Sequence, residues 1–98
     1  MKQKTINPIS FGMNDKTKRH IKCIVNQLDN NGYAIMTDSS SVSQFINNIP
    51  LFYRKNNIIL ISRTKKLKNE KTKTIITIKP EYKLVRNDAF SFKLEMKI

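Results

Sequence analysis

The period of the apolar residues changes once along this chain, from helical to alternating, and that change limits the folds open to it. Ile21, Ile24, Val25 and Leu28 fall at i, i+3, i+4 and i+7, and Val42, Phe45, Ile46 and Ile49 repeat the spacing. Each set forms one apolar stripe on a helix. From Ile58 the period is two: Ile58 to Arg63 and Thr74 to Ile78 are β-branched and apolar, and Phe90, Phe92, Leu94, Met96 and Ile98 alternate with polar residues. The chain is therefore expected to be α+β, two helices plus a mainly antiparallel sheet of hairpins.

Local signals set the boundaries. The first helix is expected over Asp15–Asn30, with Asn14 or Asp15 as N-cap and Gly32 as the left-handed residue after its end. Tyr33 to Thr37 reads as a short buried strand. Ser41 with Gln44 fits a capping box for the second helix, and Pro50 stops it. Leu51 to Asn57 suits either a short third helix or an extended loop. The first hairpin carries a Lys-rich loop over Thr64 to Lys73, and a second turns at Arg86-Asn87-Asp88 between Tyr82–Val85 and the final strand. The chain is expected to be a single small basic domain, 1–98, with an arm over 1–12 whose Ile6, Ile9 and Phe11 pack across it and a basic hairpin loop over 64–73. The order helix, strand, helix, helical turn, strand, basic loop, strand resembles a winged helix-turn-helix over the first 80 residues, a resemblance of topology without a sequence motif.

Charge then narrows the partner. With 98 residues, 19 Lys and Arg stand against 7 Asp and Glu, a formal charge of +12. Self-repulsion on that scale is tolerated chiefly where an anionic partner relieves it. Lys16, Lys18, Arg19 and Lys22 occupy the first two turns of helix one, where each cation opposes the helix dipole by roughly 0.3–1 kcal/mol. Helix N-terminal amides also attract anions, so a phosphate contact accounts for the placement. Arg63, Lys65, Lys66, Lys68, Lys71 and Lys73 form a second cluster in and beside the hairpin loop. A third joins Phe52 and Tyr53 to Arg54 and Lys55, with Tyr53 the better placed to be exposed for base stacking and Phe52 to close the core beside Phe45.

Several chemistries lack their residues. The two glycines, Gly12 and Gly32, make no phosphate-cradling loop, and the seven carboxylates are dispersed without a close pair. His20 and Cys23 are an i, i+3 pair, but a structural zinc site takes four ligands and there is no other His or Cys. Cys23 flanks the apolar stripe, where a free Cys behaves as a small buried hydrophobe. Neither a catalytic residue, a metal nor a cofactor is expected. The lone Cys rules out an internal disulfide, and the N-terminus lacks the apolar segment of a signal peptide, so a cytoplasmic protein without a membrane span is expected.

These features predict a non-enzymatic nucleic-acid-binding accessory protein that contacts mainly phosphates, DNA more than RNA, single strands included. With four Arg against fifteen Lys, phosphate contact is better supported than base readout. Its size suits a small subunit serving a larger protein such as a polymerase, primase or helicase in replication, priming or recombination. The A/T-rich codons of its frequent Lys, Ile and Asn suit a phage or mobile element. Two other readings share the composition. One is a protein-binding inhibitor or assembly factor with a basic face; the other is a metal-free ribonuclease toxin working through His20, Arg86, Tyr82 or Arg54.

Overall fold

The computed structural model describes residues 5–37, 39–64 and 72–97. Its elements are helix α1 (Asp15–Asn31), strand β1 (Tyr33–Thr37), helices α2 (Ser40–Asn47) and α3 (Leu51–Lys55), and strands β2 (Ile59–Thr64), β3 (Lys73–Ile78), β4 (Tyr82–Arg86) and β5 (Phe92–Met96). The fold is α+β, three helices with antiparallel hairpin sheets. One sheet runs β1-β3-β2 and the other pairs β4 with β5.

α1 is the centre of the molecule. Asn14 caps it, its side-chain oxygen accepting the Thr17 N–H at 2.8 Å. At the other end Gly32 adopts φ 79° and donates its N–H to the Leu28 carbonyl at 2.9 Å. That left-handed conformation carries the chain straight from helix into β1. Ile21, Ile24, Val25 and Leu28 are all buried, as the helical period requires. They share one core with Ala34, Ile76 and Ile78 of the first sheet and with Phe92 and Leu94 of the second.

Register fixes which sheet residues face that core. Ala34, Ile76 and Ile61 lie in one cross-strand row on the inner face, and Ile78 pairs with Ile59 there. β1 is an edge strand, not the buried strand its composition suggests. Only Ala34 is fully buried, while Tyr33 and Ile35 are 46% and 45% exposed. The reason is topological: β3 inserts between β1 and β2, leaving β1 one neighbour. α1 covers part of that edge, because Gln27 Oε1 accepts the Ile35 amide N–H at 3.1 Å. A side chain that occupies a strand-edge amide blocks it from further strand pairing.

The N-terminal arm ties the layers together. Ile6 and Phe92 exchange two backbone hydrogen bonds at 2.6 and 3.0 Å, so the arm lies beside β5, and Ile6 is fully buried. Asn48, just after α2, donates to the Pro8 carbonyl and to Ser10 Oγ, both at 2.7 Å. Ile9 packs against the core, but Phe11 is fully exposed instead of packing across the domain. Ser10 to Met13 is a turn closed by a 3.3 Å bond from the Met13 N–H to the Ser10 carbonyl, with Gly12 at φ 86°. Its second residue, Phe11, points outward.

Three boundaries differ from expectation. The N-cap of α2 is Ser39, whose Oγ accepts the Val42 N–H at 3.4 Å, so Ser41 lies inside the helix and makes no capping box. The second hairpin turn is wider than Arg86-Asn87-Asp88. Arg86 ends β4, the Asn87 N–H bonds the Ser91 carbonyl, and Phe90 falls in the turn. In β5 the alternation holds for Phe92 and Leu94, both buried, and ends at the exposed Met96.

Candidate nucleic-acid interface

The N-terminal half of α1 projects its cations to solvent because its apolar stripe occupies the opposite side. Lys16, Arg19 and Lys22 are exposed and Lys18 is half-buried. Lys18 and Lys22 are neighbours at i, i+4, while Arg19 lies i, i+3 from both Lys16 and Lys22; such like-charge spacings destabilise a helix. Asp15 is the single carboxylate in the first turn, and no basic residue occupies the last turn, where the dipole would favour one.

α3 follows α2 after the three-residue link Asn48-Ile49-Pro50 and supplies Arg54 and Lys55, both exposed, in its last turn. Its aromatics are reversed from the sequence expectation. Tyr53 is buried, 7% exposed, and Phe52 is 53% exposed. The backbone explains this: the Tyr53 N–H bonds the Pro50 carbonyl at 3.1 Å, and the Ile58 N–H returns to the Tyr53 carbonyl at 2.9 Å. The chain thus folds back over Tyr53 to enter β2. The two rings meet edge-to-face with centroids 5.4 Å apart, which steadies Phe52 at the surface. Tyr53 is therefore no stacking platform; Phe52 is the exposed ring.

Phe11 belongs to the same region, and sequence reasoning missed it. The turn that carries it runs directly into the Asn14 cap of α1, and the Asn48–Ser10 bond fixes that turn to the α2–α3 link. The start of α1, the Phe11 turn and α3 are thus tied together. The only signal in the sequence was Gly12, whose positive φ makes the turn.

Arg63 and Lys73 are exposed where β2 and β3 leave the sheet. Lys65, Lys66, Lys68 and Lys71 lie outside the described residues.

The ion pairs sort the charges. Among the described residues they join Lys79 to Glu81 (3.3 Å), Arg86 to Asp29 (3.7 Å) and Lys93 to Glu95 (3.9 Å). Every cation in them belongs to the β4–β5 hairpin or the turn before it. Lys16, Lys18, Arg19, Lys22, Arg54 and Lys55 enter none.

Two of the residues weighed for catalysis, Arg86 and His20, have partners within the fold. Arg86 donates from Nη1 to Asn26 Oδ1 at 2.7 Å and from Nη2 to the Ala89 carbonyl at 2.8 Å, which joins β4 to α1. His20 Nδ1 lies 3.0 Å from the Oγ of the buried Ser41, linking α1 to α2. Cys23 is exposed rather than buried, since it sits on the solvent side of the stripe. Among the described residues no group of three or more His, Cys, Asp or Glu is positioned to hold a metal ion, and no helix is long and apolar enough to cross a membrane. No family of known proteins, no curated protein and no solved structure matches this chain.

Proposed function

We propose that the protein is a non-enzymatic nucleic-acid-binding module that grips phosphates with the start of α1 and with α3. The carrying observation is the separation of charge. Lys79, Arg86 and Lys93, in the β4–β5 hairpin and the turn before it, are held in ion pairs with carboxylates, while four cations in the N-terminal half of α1 and two in the last turn of α3 enter none among the described residues. A phosphate there gains from unpaired cations, the helix dipole and released counterions.

The element order α1-β1-α2-α3-β2-β3 supports a winged-helix-like reading, in which Lys65, Lys66, Lys68 and Lys71, between β2 and β3 in sequence and outside the described residues, act as a second phosphate contact. At five residues α3 is short for a helix that reads bases along a major groove, which favours backbone contact over sequence readout. Exposed Phe52, in α3 with Arg54 and Lys55, and exposed Phe11, in the turn that leads into α1, favour single strands, whose unpaired bases stack on aromatic rings for roughly 1–3 kcal/mol each. The module would serve a larger replication, priming or recombination enzyme.

Fluorescence anisotropy with single-stranded DNA, duplex DNA and RNA of equal length, over a salt series, tests this. Contact with six to eight phosphates predicts a log–log slope of roughly −5 to −7 on duplex DNA. Affinity unchanged between about 50 and 200 mM salt, a range over which such contacts should cost orders of magnitude, contradicts the proposal.

A further inference from the structure

The first sheet turns one face to α1 and the other away from it, and the outer face is apolar. Register places Tyr33, Thr77 and Leu60 in one cross-strand row and Ile35, Ile75 and Ser62 in the next. Tyr33, Ile35 and Leu60 are 46%, 45% and 47% exposed, with Ile75 half-buried between them. Neither row holds a charge.

This face runs into a cleft of about 480 Å³ between the end of the sheet and the β4–β5 hairpin. Tyr33 and Thr77 belong to both. Pro80, Tyr82 and Leu84 add apolar wall, and its charged lining residues are Lys83, Lys97 and Asp29, the last offset by Arg86 at 3.7 Å. Lys73 begins the next row of the outer face. Lys73, Lys83 and Lys97 enter no ion pair among the described residues.

We infer that this outer face and its cleft are a docking surface for a partner protein segment that is apolar at its centre and acidic at its margins. The chemistry selects that occupant. A nucleic-acid strand finds no cation within the two rows, and its phosphates gain nothing from covering isoleucine and leucine. A second copy of the chain would set Lys73, Lys83 and Lys97 against further cations in a molecule already at +12. Carboxylates flanking apolar side chains meet both the rows and the rim, in the usual pattern of an apolar interface core with a polar border. The cleft borders the C-terminal end of α1, at Leu28, Asp29 and Asn31, whereas Lys16, Lys18, Arg19 and Lys22 lie in that helix's N-terminal half, so the surface would couple a nucleic-acid grip at one end of α1 to a protein at the other.

The test is a displayed random-peptide selection on the full chain, counter-selected with the Ile35→Glu, Leu60→Glu double variant. Both positions are substantially exposed, and circular dichroism checks that the fold survives; the single variant Leu60→Ser replaces it if not. Surviving peptides should combine aliphatic or aromatic residues with net negative charge. A synthesised survivor should shift the amide resonances of Tyr33, Ile35, Leu60 and Thr77 and bind the variant at least tenfold more weakly. Lys83→Ala with Lys97→Ala should weaken it several-fold at low salt and less at high salt. An empty selection, basic survivors, shifts confined to the N-terminal half of α1, an oligonucleotide that shifts this face, or self-association abolished by the double variant would each overturn the inference. None bears on the salt series above, which reads cations of α1 and α3.

Discussion

Arg86 at the end of β4 reaches across to α1 and donates to Asn26 Oδ1 at 2.7 Å, sixty residues away in sequence. The same guanidinium holds the Ala89 carbonyl in the hairpin turn and sits 3.7 Å from Asp29. One planar group therefore fixes both the turn and the position of the second sheet. Hydrogen bonds from a charged donor contribute about 1.5–3 kcal/mol each, so Arg86→Ala should destabilise the protein by roughly that amount or more. Arg86→Lys should recover little, since an ammonium cannot reproduce the fork. Urea denaturation of the two variants checks this, and a lysine variant as stable as the parent would refute the fork's importance.

Thr74 yields the opposite sign. It is fully buried in β3, and its hydroxyl oxygen has no hydrogen-bond partner among the described residues. A buried, unpaired hydroxyl costs about 1–3 kcal/mol, and valine has nearly the same shape. Thr74→Val should raise stability by about 1 kcal/mol, read as a higher denaturation midpoint at unchanged slope. Most core substitutions destabilise, so a gain here is specific to the unpaired group.

How far the sequence revealed these features depended on their range. α1, Gly32 and the alternating strands were legible because the apolar period and the left-handed residue are local. The cation group at the start of α1 was legible for the same reason. Which ring of Phe52-Tyr53 points inward was not, because it turns on the return of Ile58 to the Tyr53 carbonyl. Ser39, Ser40 and Ser41 are adjacent, and only the helix's true start selects Ser39 as cap and gives Ser41 to His20. The exposure of Tyr33 and Ile35 was hidden deeper, since an apolar pentapeptide looks alike at the edge or the centre of a sheet. Phe11 depended on Asn48, 38 residues from the serine it holds.

Asp88 carries the pH dependence of the second hairpin. Its carboxylate accepts the Ser91 and Phe90 N–H groups, both at 2.8 Å, and these bonds, Ser91 first, hold its pKa below the ordinary carboxylate value. A depressed carboxyl stabilises the fold above its unfolded pKa and ceases to do so as pH falls through the folded one. Asp88→Asn should therefore be less stable than the parent at neutral pH, with the gap closing in the acid range. Thermal unfolding of both proteins between about pH 2 and 7 measures it, using the parent's unfolded carboxyl near its usual value as reference. A gap that stays constant with pH would show that the carboxylate's charge is irrelevant to the turn.

The cations of α1 separate binding from stability. Arg19 and Lys22 are exposed, enter no ion pair among the described residues, and stand at like-charge i, i+3 and i, i+4 spacings with Lys16 and Lys18 and with each other. Removing either should relieve like-charge repulsion worth roughly 0.2–0.5 kcal/mol per pair at low ionic strength. The same change deletes one phosphate contact, which lowers the magnitude of the log–log salt slope on duplex DNA by about 0.9. Arg19→Ala and Lys22→Ala should therefore fold slightly more stably and bind nucleic acid more weakly. Lys93→Ala, in an ion pair with Glu95 on the other hairpin, should leave the slope unchanged. Arg19 and Lys22 variants that gain stability without losing affinity would mark these cations as a solvated helix face, and the phosphate grip would have to lie elsewhere.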